Sequence, residues 1–414
     1  MLRVAVSGYY GFNNTGDEAI LLALVSTLRT LAPGVEITVF SHRPRETRQI
    51  YGVKAVNRWN PFGICWALLR SDLLLSGGGG LLQDVTGVRS ICYYLGVVLL
   101  ARLLGRPVIY YAQGLGPVRT RFGRWLTRVV SNRVELITVR DQASRDDFLE
   151  MGVTRPPVIV TADPALALSP TQVDLELGER LLVQLRAASE QEPERGSPAA
   201  PPGTGQPEAG EPRRLGIVLR DWQDCYQYKR AVAAAADRLI REGWEVVLIP
   251  FHFPGDLQAS REVSWLMQEP ALLVRSKLSV DTLFSLLGRL DLVLSMRLHA
   301  LIMASVMRTP CVGISYDPKV ERFLELTGQP VAGTVADLDA ERLYEVLNGA
   351  WERRASITAH LDQVLVNLRQ QAWETASMAL SVFYSRFPHR RWEAGRAARR
   401  GSGEASKKHS LPGA

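Results

Sequence analysis

Short apolar runs alternate with longer amphipathic stretches along most of the chain. Runs at Leu2–Ser7, Val35–Phe40, Val53–Asn57, Asp72–Ser76, Pro107–Ala112, Leu136–Val139 and Val158–Val160 have the length and the bounding polar or glycine residues of buried strands. Between them, Glu18–Leu31, Pro61–Arg70, Ser90–Leu104 and Arg121–Asn132 carry the 3.6-residue spacing of helices. The second half repeats the alternation. Strands are predicted at Leu215–Leu219, Glu245–Pro250, Ala271–Val274, Asp291–Ser295 and Cys311–Ile314. Helices are predicted at Gln227–Arg241, Leu257–Gln268, Val280–Gly288, Arg297–Met307 and Leu338–Asn348, with one long or broken helix from Trp351 to about Arg386. Strands alternating with helices over this length imply parallel sheets covered by helices on both faces.

One stretch interrupts the alternation. Ala187–Arg213 holds six Pro and four Gly in 27 residues and almost no bulky apolar side chain, so it cannot bury a core. It divides the chain into a first α/β lobe over residues 1–186, a linker over 187–213 and a second α/β lobe over 214–350. Helices over 351–388 and a basic tail over 389–414 complete the expected organisation. At 414 residues, two cores are also what chain length alone leads one to expect.

Charge refines the picture only at the end of the chain. The formal net charge is +7, and Arg386–Ala414 sets eight Lys/Arg against two Glu. The body is therefore near neutral in sum, which argues against a nucleic-acid-binding body. The tail reads as a solvated extension or as a contact for an anionic membrane surface. The start of the chain lacks the pattern of a signal peptide. Ser90–Ala101, closed by Arg89 and Arg102, is too short to span a bilayer, which takes ~20 residues. Cys65, Cys92, Cys225 and Cys311 are scattered with no C-x-x-C pair, so neither a zinc site nor a disulfide framework is indicated. Isolated thiols suit a reducing cytoplasm.

Candidate chemistry gathers where strands end. Val293–Ala304 reads V-L-S-M-R-L-H-A-L-I-M-A, so a strand delivers Arg297 and His299 into a helix amino terminus. In open α/β sheets that edge binds ligands, and a helix amino terminus favours anions. Alone, His299 reads more simply as a cap or core histidine; Arg297 beside it and Tyr316-Asp317-Pro318-Lys319 after the next strand favour a functional role. Arg140 and Arg220 repeat the placement of a cation just after a strand. Glycine-rich segments follow other strands: Gly8–Glu18, with Asn14 and Asp17; Gly77–Asp84, with Gly79, Gly80 and Asp84; and Gln113–Pro117. Asp17 reads as a helix cap or a ligand contact. Four consecutive glycines after a strand cost ordering entropy and suggest backbone lining a ligand surface. The spacing is not that of a dinucleotide fingerprint.

Taken together, GYYGFNNTGDE (Gly8–Glu18), SGGGGLLQD (Ser76–Asp84), QGLGP (Gln113–Pro117), RDQAS (Arg140–Ser144), DPA (Asp163–Ala165), RLHA (Arg297–Ala300) and YDPK (Tyr316–Lys319) resemble the polysaccharide pyruvyl transferase family, in family order. The likeness runs from about Leu2 to Leu326 and is nearest to its CsaB-like cell-wall branch. The resemblance implies two Rossmann-like lobes in a glycosyltransferase-B-like arrangement, with the active site in the inter-lobe cleft. It implies transfer of a pyruvyl group from phosphoenolpyruvate onto two hydroxyls of a sugar in a cell-wall precursor, lipid-linked in that branch, forming a ketal and releasing phosphate. The enzyme would work without a cofactor or metal, in the cytoplasm at the inner face of the plasma membrane. Carried over residue by residue, His299 is the acid–base group, and Arg140, Arg220, Arg297 and Lys319 hold phosphoenolpyruvate, with Arg140 and Lys319 in the catalytic set. Asn14, Asp17, Gly79, Gly80, Asp84 and Gln113 meet the sugar acceptor. The rival readings are a glycosyltransferase using a nucleotide sugar and a non-catalytic sugar-binding protein on the same scaffold.

Overall fold

The computed structural model describes residues 1–84, 87–191, 212–222 and 225–387. In chain order the first strands and helices are β1 (Arg3–Tyr10), α1 (Thr15–Leu31), β2 (Glu36–Ser41), α2 (Pro44–Tyr51), β3 (Lys54–Asn57), α3 (Pro61–Leu69), β4 (Leu73–Ser76), β5 (Gly79–Leu82), α4 (Val88–Leu103), β6 (Val108–Leu115), α5 (Arg121–Ser131), β7 (Leu136–Val139), α6 (Gln142–Glu150) and β8 (Val158–Val160). Continuing, α7 (Glu176–Gln191), β9 (Arg213–Val218), α8 (Gln227–Arg241), β10 (Trp244–Leu248), α9 (Gly255–Leu266), β11 (Leu272–Leu273), α10 (Val280–Leu287) and β12 (Leu292–Ser295) lead to α11 (Leu298–Val306), β13 (Cys311–Ser315), α12 (Pro318–Leu326), β14 (Val331–Thr334), α13 (Ala340–Glu352) and α14 (Arg354–Arg386). The chain divides into two compact units. Among the described residues, the first comprises 1–12, 20–167 and 370–387; the second comprises Asn13–Ala19 and those from Leu168 to Arg369.

The first unit is built on an eight-stranded sheet in the order β3-β2-β1-β4-β6-β7-β8, with β5 also paired to β6. Every pairing is parallel. Central strands such as β4 (Leu-Leu-Leu-Ser) are buried throughout, as a sheet covered on both faces requires. One face packs α3, α4, α5 and α6 through Leu68, Leu95, Val98, Val130 and Phe148. The other packs α1 through Leu21, Leu24 and Leu28, and the end of α14 through Ala376, Ala379 and Phe383. Polar residues set the helix starts: Asn60 before Pro61, Thr120, and Asp141 each accept a backbone N–H in the first turn.

The second unit is built on a six-stranded sheet in the order β11-β10-β9-β12-β13-β14, also all parallel. The two sheets are Rossmann-like, as the strand–helix alternation predicts.

Several boundaries differ from the sequence expectation. The first unit's core closes at the buried turn Pro164–Ala167 instead of running to residue 186. The segment after it belongs with the second unit: α7 buries Leu182, and Ser285 Oγ accepts from the Gly178 N–H at 2.6 Å while donating to the Asp174 carbonyl at 2.7 Å. Helix α7 also takes in residues 187–191 of the expected linker, because Pro and Gly begin only at Pro193. Residues 192–211 of that linker and the basic tail from 388 lie outside the described residues. The glycine loops are partly strand: Gly79–Leu82 forms β5, and β6 continues through Gln113, Gly114 and Leu115. Helix α13 runs on to Glu352, past the expected end at Asn348, and the long terminal helix is the single α14 from Arg354 to Arg386.

Candidate active site

The strand order of the second unit fixes where a ligand would be met. From β9 the chain winds outward through β10 to β11; from β12 it winds the opposite way through β13 to β14. The reversal falls between β9 and β12, and in open α/β sheets ligands bind beyond the carboxyl ends of the strands at that point. Arg220 follows β9, Arg297 follows β12, and Tyr316–Lys319 follows β13. Three of the cations singled out in the sequence thus share one edge of one sheet.

Their surroundings differ. The Arg297 guanidinium is held by Asp256, with Nε to Oδ2 at 3.0 Å and Nη2 to Oδ1 closer still. Asp256 Oδ2 also accepts from the backbone N–H of His252 at 2.8 Å and more weakly from Phe251 at 3.3 Å. Arg297 is therefore a locked side chain that ties α11 to the loop after β10. Arg220 meets aromatic rings: its guanidinium lies 5.2 Å from the Trp222 ring and 4.9 Å from that of Tyr316, and it donates to the Tyr316 hydroxyl at 3.3 Å. Among the described residues no carboxylate pairs with Arg220. The neighbouring Asp221 is turned to the buried Lys229, which also binds Glu262. Burial opposes the Lys229 charge, but the hydrogen bonds it donates to the two carboxylates outweigh it and raise the lysine pKa. Lys319 is about one-third exposed, pairs with Asp317 at 2.8 Å, and lies 5.7 Å from the same Tyr316 ring. Asp317 also accepts from the Lys319 N–H at the start of α12.

His299 stands in the first turn of α11. Its ring lies against Asn13–Ala19, the stretch that groups with the second unit. A Cβ added to Gly16 would sit 2.6 Å from the ring's Cγ, so only glycine leaves room for the imidazole in this position. The same stretch is stitched to the loop after β10. Thr15 donates its N–H and its hydroxyl to the Phe251 carbonyl at 3.2 and 2.8 Å, and Phe253 N–H donates to the Asn13 carbonyl at 3.2 Å. Asn14 Oδ1 accepts from the Gly16 N–H at 3.2 Å, which orders the start of α1. Asp17, which the sequence offered as the cap, is buried within the first turn instead.

In the first unit the motif residues are bound up internally. Arg140, with only 8% of its side chain exposed, pairs with the buried Asp163 at 3.1 Å and lies 3.6 Å from Asp141. A Cβ at Gly114 would fall 2.6 Å from Arg140 Nε, so the glycine of QGLGP makes space for the guanidinium. Asp84 accepts from the N–H groups of Arg119 and Thr120, each at 2.8 Å, and from the Thr120 hydroxyl at 2.6 Å. Burial pushes its pKa up, but these three donors prevail and hold it below the ordinary carboxylate range. Gln113 is fully buried and donates to the Gly79 carbonyl at 2.8 Å. Of the glycine run, Gly77 makes room for the Tyr10 phenol and Gly79 takes φ +92°, whereas Gly80 is exposed with nothing near its Cα hydrogens.

Two participants escaped the sequence reading. Asp256 orients Arg297 from 41 positions away; an acid just past Pro254-Gly255, in the first turn of the helix that follows a strand, was the available signal. Trp222 flanks Arg220, and its ring lies 4.8 Å from that of Tyr316.

Comparison with known proteins agrees with the fold. The sequence profile of the family described as polysaccharide pyruvyl transferase matches residues 14–318. No curated protein matches the chain. Among solved structures, a UDP-N-acetylglucosamine 2-epimerase is similar, with a TM-score of 0.61 and 14% identity over 94% of this chain and 96% of that one. S. aureus MnaA in its UDP co-structure gives 0.60 and 13%, covering 93% and 97%. The UDP-GlcNAc 2-epimerase from Neisseria meningitidis bound to UDP-GlcNAc gives 0.57 and 12%, covering 92% and 99%. At such identities the likeness establishes the fold alone.

Proposed function

Because the chain belongs to the polysaccharide pyruvyl transferase family, we propose that it moves the pyruvyl group of phosphoenolpyruvate onto two hydroxyls of a sugar in a cell-wall polysaccharide precursor. The lipid-linked acceptor of the CsaB-like branch is part of the proposal. The observation that carries it is the pair of cations, Arg220 and Lys319, set around one Tyr316 ring at the strand-order reversal. Phosphoenolpyruvate brings a phosphate and a carboxylate, and such a small polyanion needs several positive groups converging on it. Arg297, held rigid by Asp256, presents the amino terminus of α11 as a further anion-attracting element.

The chemistry assigns each group a step. His299 protonates the methylene carbon of phosphoenolpyruvate, which makes the central carbon electrophilic. One sugar hydroxyl adds there and gives its proton to His299, which the first step left neutral. The second hydroxyl displaces the phosphate on the same carbon, its proton leaving with the departing phosphate. The products are a cyclic pyruvate ketal and inorganic phosphate. Gly16 serves by letting the imidazole rest against the start of α1, where its orientation is fixed. The resemblance extends donor binding to Arg140; a guanidinium has five donors, more than one carboxylate uses. Asn14, Asp17, Gly79, Gly80 and Gln113 remain the acceptor set. Asp84 enters it through the loop it shapes, since three intramolecular donors already occupy its carboxylate.

Several structural neighbours bind UDP or a UDP-sugar, so a nucleotide-sugar transferase is the reading to beat. Thermal unfolding separates the two: phosphoenolpyruvate should raise the melting temperature and UDP should leave it unchanged. A rise with UDP alone would replace the proposal with the glycosyltransferase reading. Phosphate release that requires both phosphoenolpyruvate and a sugar acceptor would exclude the non-catalytic one.

A further inference from the structure

The near-neutral charge sum of the body conceals a segregation. From Trp59 to Val134 the chain carries nine arginines and only two acids, Asp72 and Asp84. Both acids are buried, one paired with Arg3 and the other bound to the Arg119–Thr120 backbone. No exposed carboxylate is therefore contributed by α3, α4 or α5, which lie side by side on one face of the first sheet. Their outward sides and flanking turns carry exposed Arg70, Arg89, Arg119, Arg121, Arg124 and Arg128.

The exposed rings gather on and just before the same helices. Of seven exposed aromatic side chains among the described residues, five are here: Trp59, Phe62, Trp66, Phe122 and Trp125. Phe62, Trp66 and Leu69 are spaced to share one face of α3, and Phe62 is 86% exposed. Arg70 lies 4.5 Å from the Trp66 ring, and Phe122 and Trp125 are neighbours on α5 with centroids 5.9 Å apart. Among the described residues, only Arg124 of the six arginines has a carboxylate partner, Glu150 of α6, and that ion pair is solvent-exposed.

We infer that the outer face of α3–α5 docks on an anionic lipid bilayer. Trp and Phe favour the boundary between headgroups and acyl chains, and arginines beside them meet lipid phosphates. No described helix is long and apolar enough to cross a membrane, so the contact is with the surface. Charge decides against a second copy of this chain as the occupant. In a symmetric dimer this patch would face itself, bringing arginine against arginine with no exposed acid to answer. The inference does not rest on the chemistry assigned above.

The test is sedimentation of the full chain with phosphatidylcholine vesicles, with and without phosphatidylglycerol, over a salt series. The wild type should bind the anionic vesicles, lose binding as salt rises, and ignore the neutral ones. Phe62→Ser/Trp66→Ser leaves every charge in place, the basic tail included. It should bind about tenfold more weakly or worse, with a melting temperature close to wild type. Tryptophan emission of the wild type should be quenched by brominated lipid. Equal vesicle binding by the double variant, or unquenched emission, would overturn the inference. So would a double variant that turns a dimer into a monomer while vesicle binding stays, or wild-type binding to a single-stranded oligonucleotide but not to vesicles.

Discussion

Arg140 and Arg220 look alike in the sequence, each the first cation after a buried strand, yet the structure uses them differently. Arg140 sits in a buried ion pair with Asp163, beside a glycine that exists to accommodate it. Arg220 is flanked by Trp222 and Tyr316, while the adjacent acid is drawn off by Lys229. The first is a buried, paired charge; the second is a guanidinium that no carboxylate among the described residues neutralises. A cation at a strand end is thus a signal of position, and its partners decide its use.

That contrast is broken most severely at the ion pair. Arg140→Ala leaves Asp163 buried without its partner, which should cost about 3–5 kcal/mol of stability. Chemical denaturation would measure it. Unchanged phosphoenolpyruvate binding by the folded variant would remove Arg140 from the donor set proposed above, and a stability change below about 1 kcal/mol would show that the Asp163 pair does not hold the fold. Comparable in size, but in rate, is His299→Ala: turnover should fall by ~10²–10⁴ while phosphoenolpyruvate still binds. Steady-state rates beside a binding titration check it, and retained turnover would return His299 to a structural role.

How much of this was legible in the sequence follows from the range of each interaction. Strands β7 and β8 are read to the residue, because a short apolar run between polar residues has few alternatives. Helix α2, Pro-Arg-Glu-Thr-Arg-Gln-Ile-Tyr, is missed because it buries only Thr47 and Tyr51 and so has almost no apolar stripe. The edge holding Arg220, Arg297 and Lys319 is foreseen, since strand-to-helix junctions are local features. What those residues touch is not. The support of His299 by Gly16 and of Arg297 by Asp256 joins positions far apart in the chain, where periodicity carries no information. Two glycines answer a demand invisible until the chain is folded: Gly77 leaves space for Tyr10 and Gly114 for Arg140.

Gly16→Ala sharpens the account on the side of the second unit. A methyl group there forces the His299 ring aside, so turnover should drop about tenfold or more, with phosphoenolpyruvate affinity little changed. Loss of affinity with normal turnover would contradict the positioning role.

The smallest expected effect tests the structural character of Asp84. Its pKa is depressed in the folded protein, so its stabilisation is present above the unfolded value, ~3.9, and disappears as pH falls through the lower folded value. Asp84→Asn should therefore lose ~1.5–3 kcal/mol at pH 7, with the gap to wild type closing below about pH 4. A gap that stays constant with pH would show that the carboxylate charge is not what organises the Arg119–Thr120 turn.

The central claim is that the sheet edge of the second unit grips phosphoenolpyruvate through Arg220 and Lys319, the cations set around Tyr316. Calorimetric titration of phosphoenolpyruvate into the wild type, Arg220→Met and Lys319→Met tests it directly, since methionine keeps the aliphatic packing on Tyr316 and removes only the charge. Each variant should bind about ten- to a hundredfold more weakly, the worth of a charged hydrogen bond of ~1.5–3 kcal/mol, and Lys319→Arg should recover only part of the loss. Dissociation constants within about twofold of wild type for both methionine variants, a difference worth under ~0.5 kcal/mol, would contradict the account.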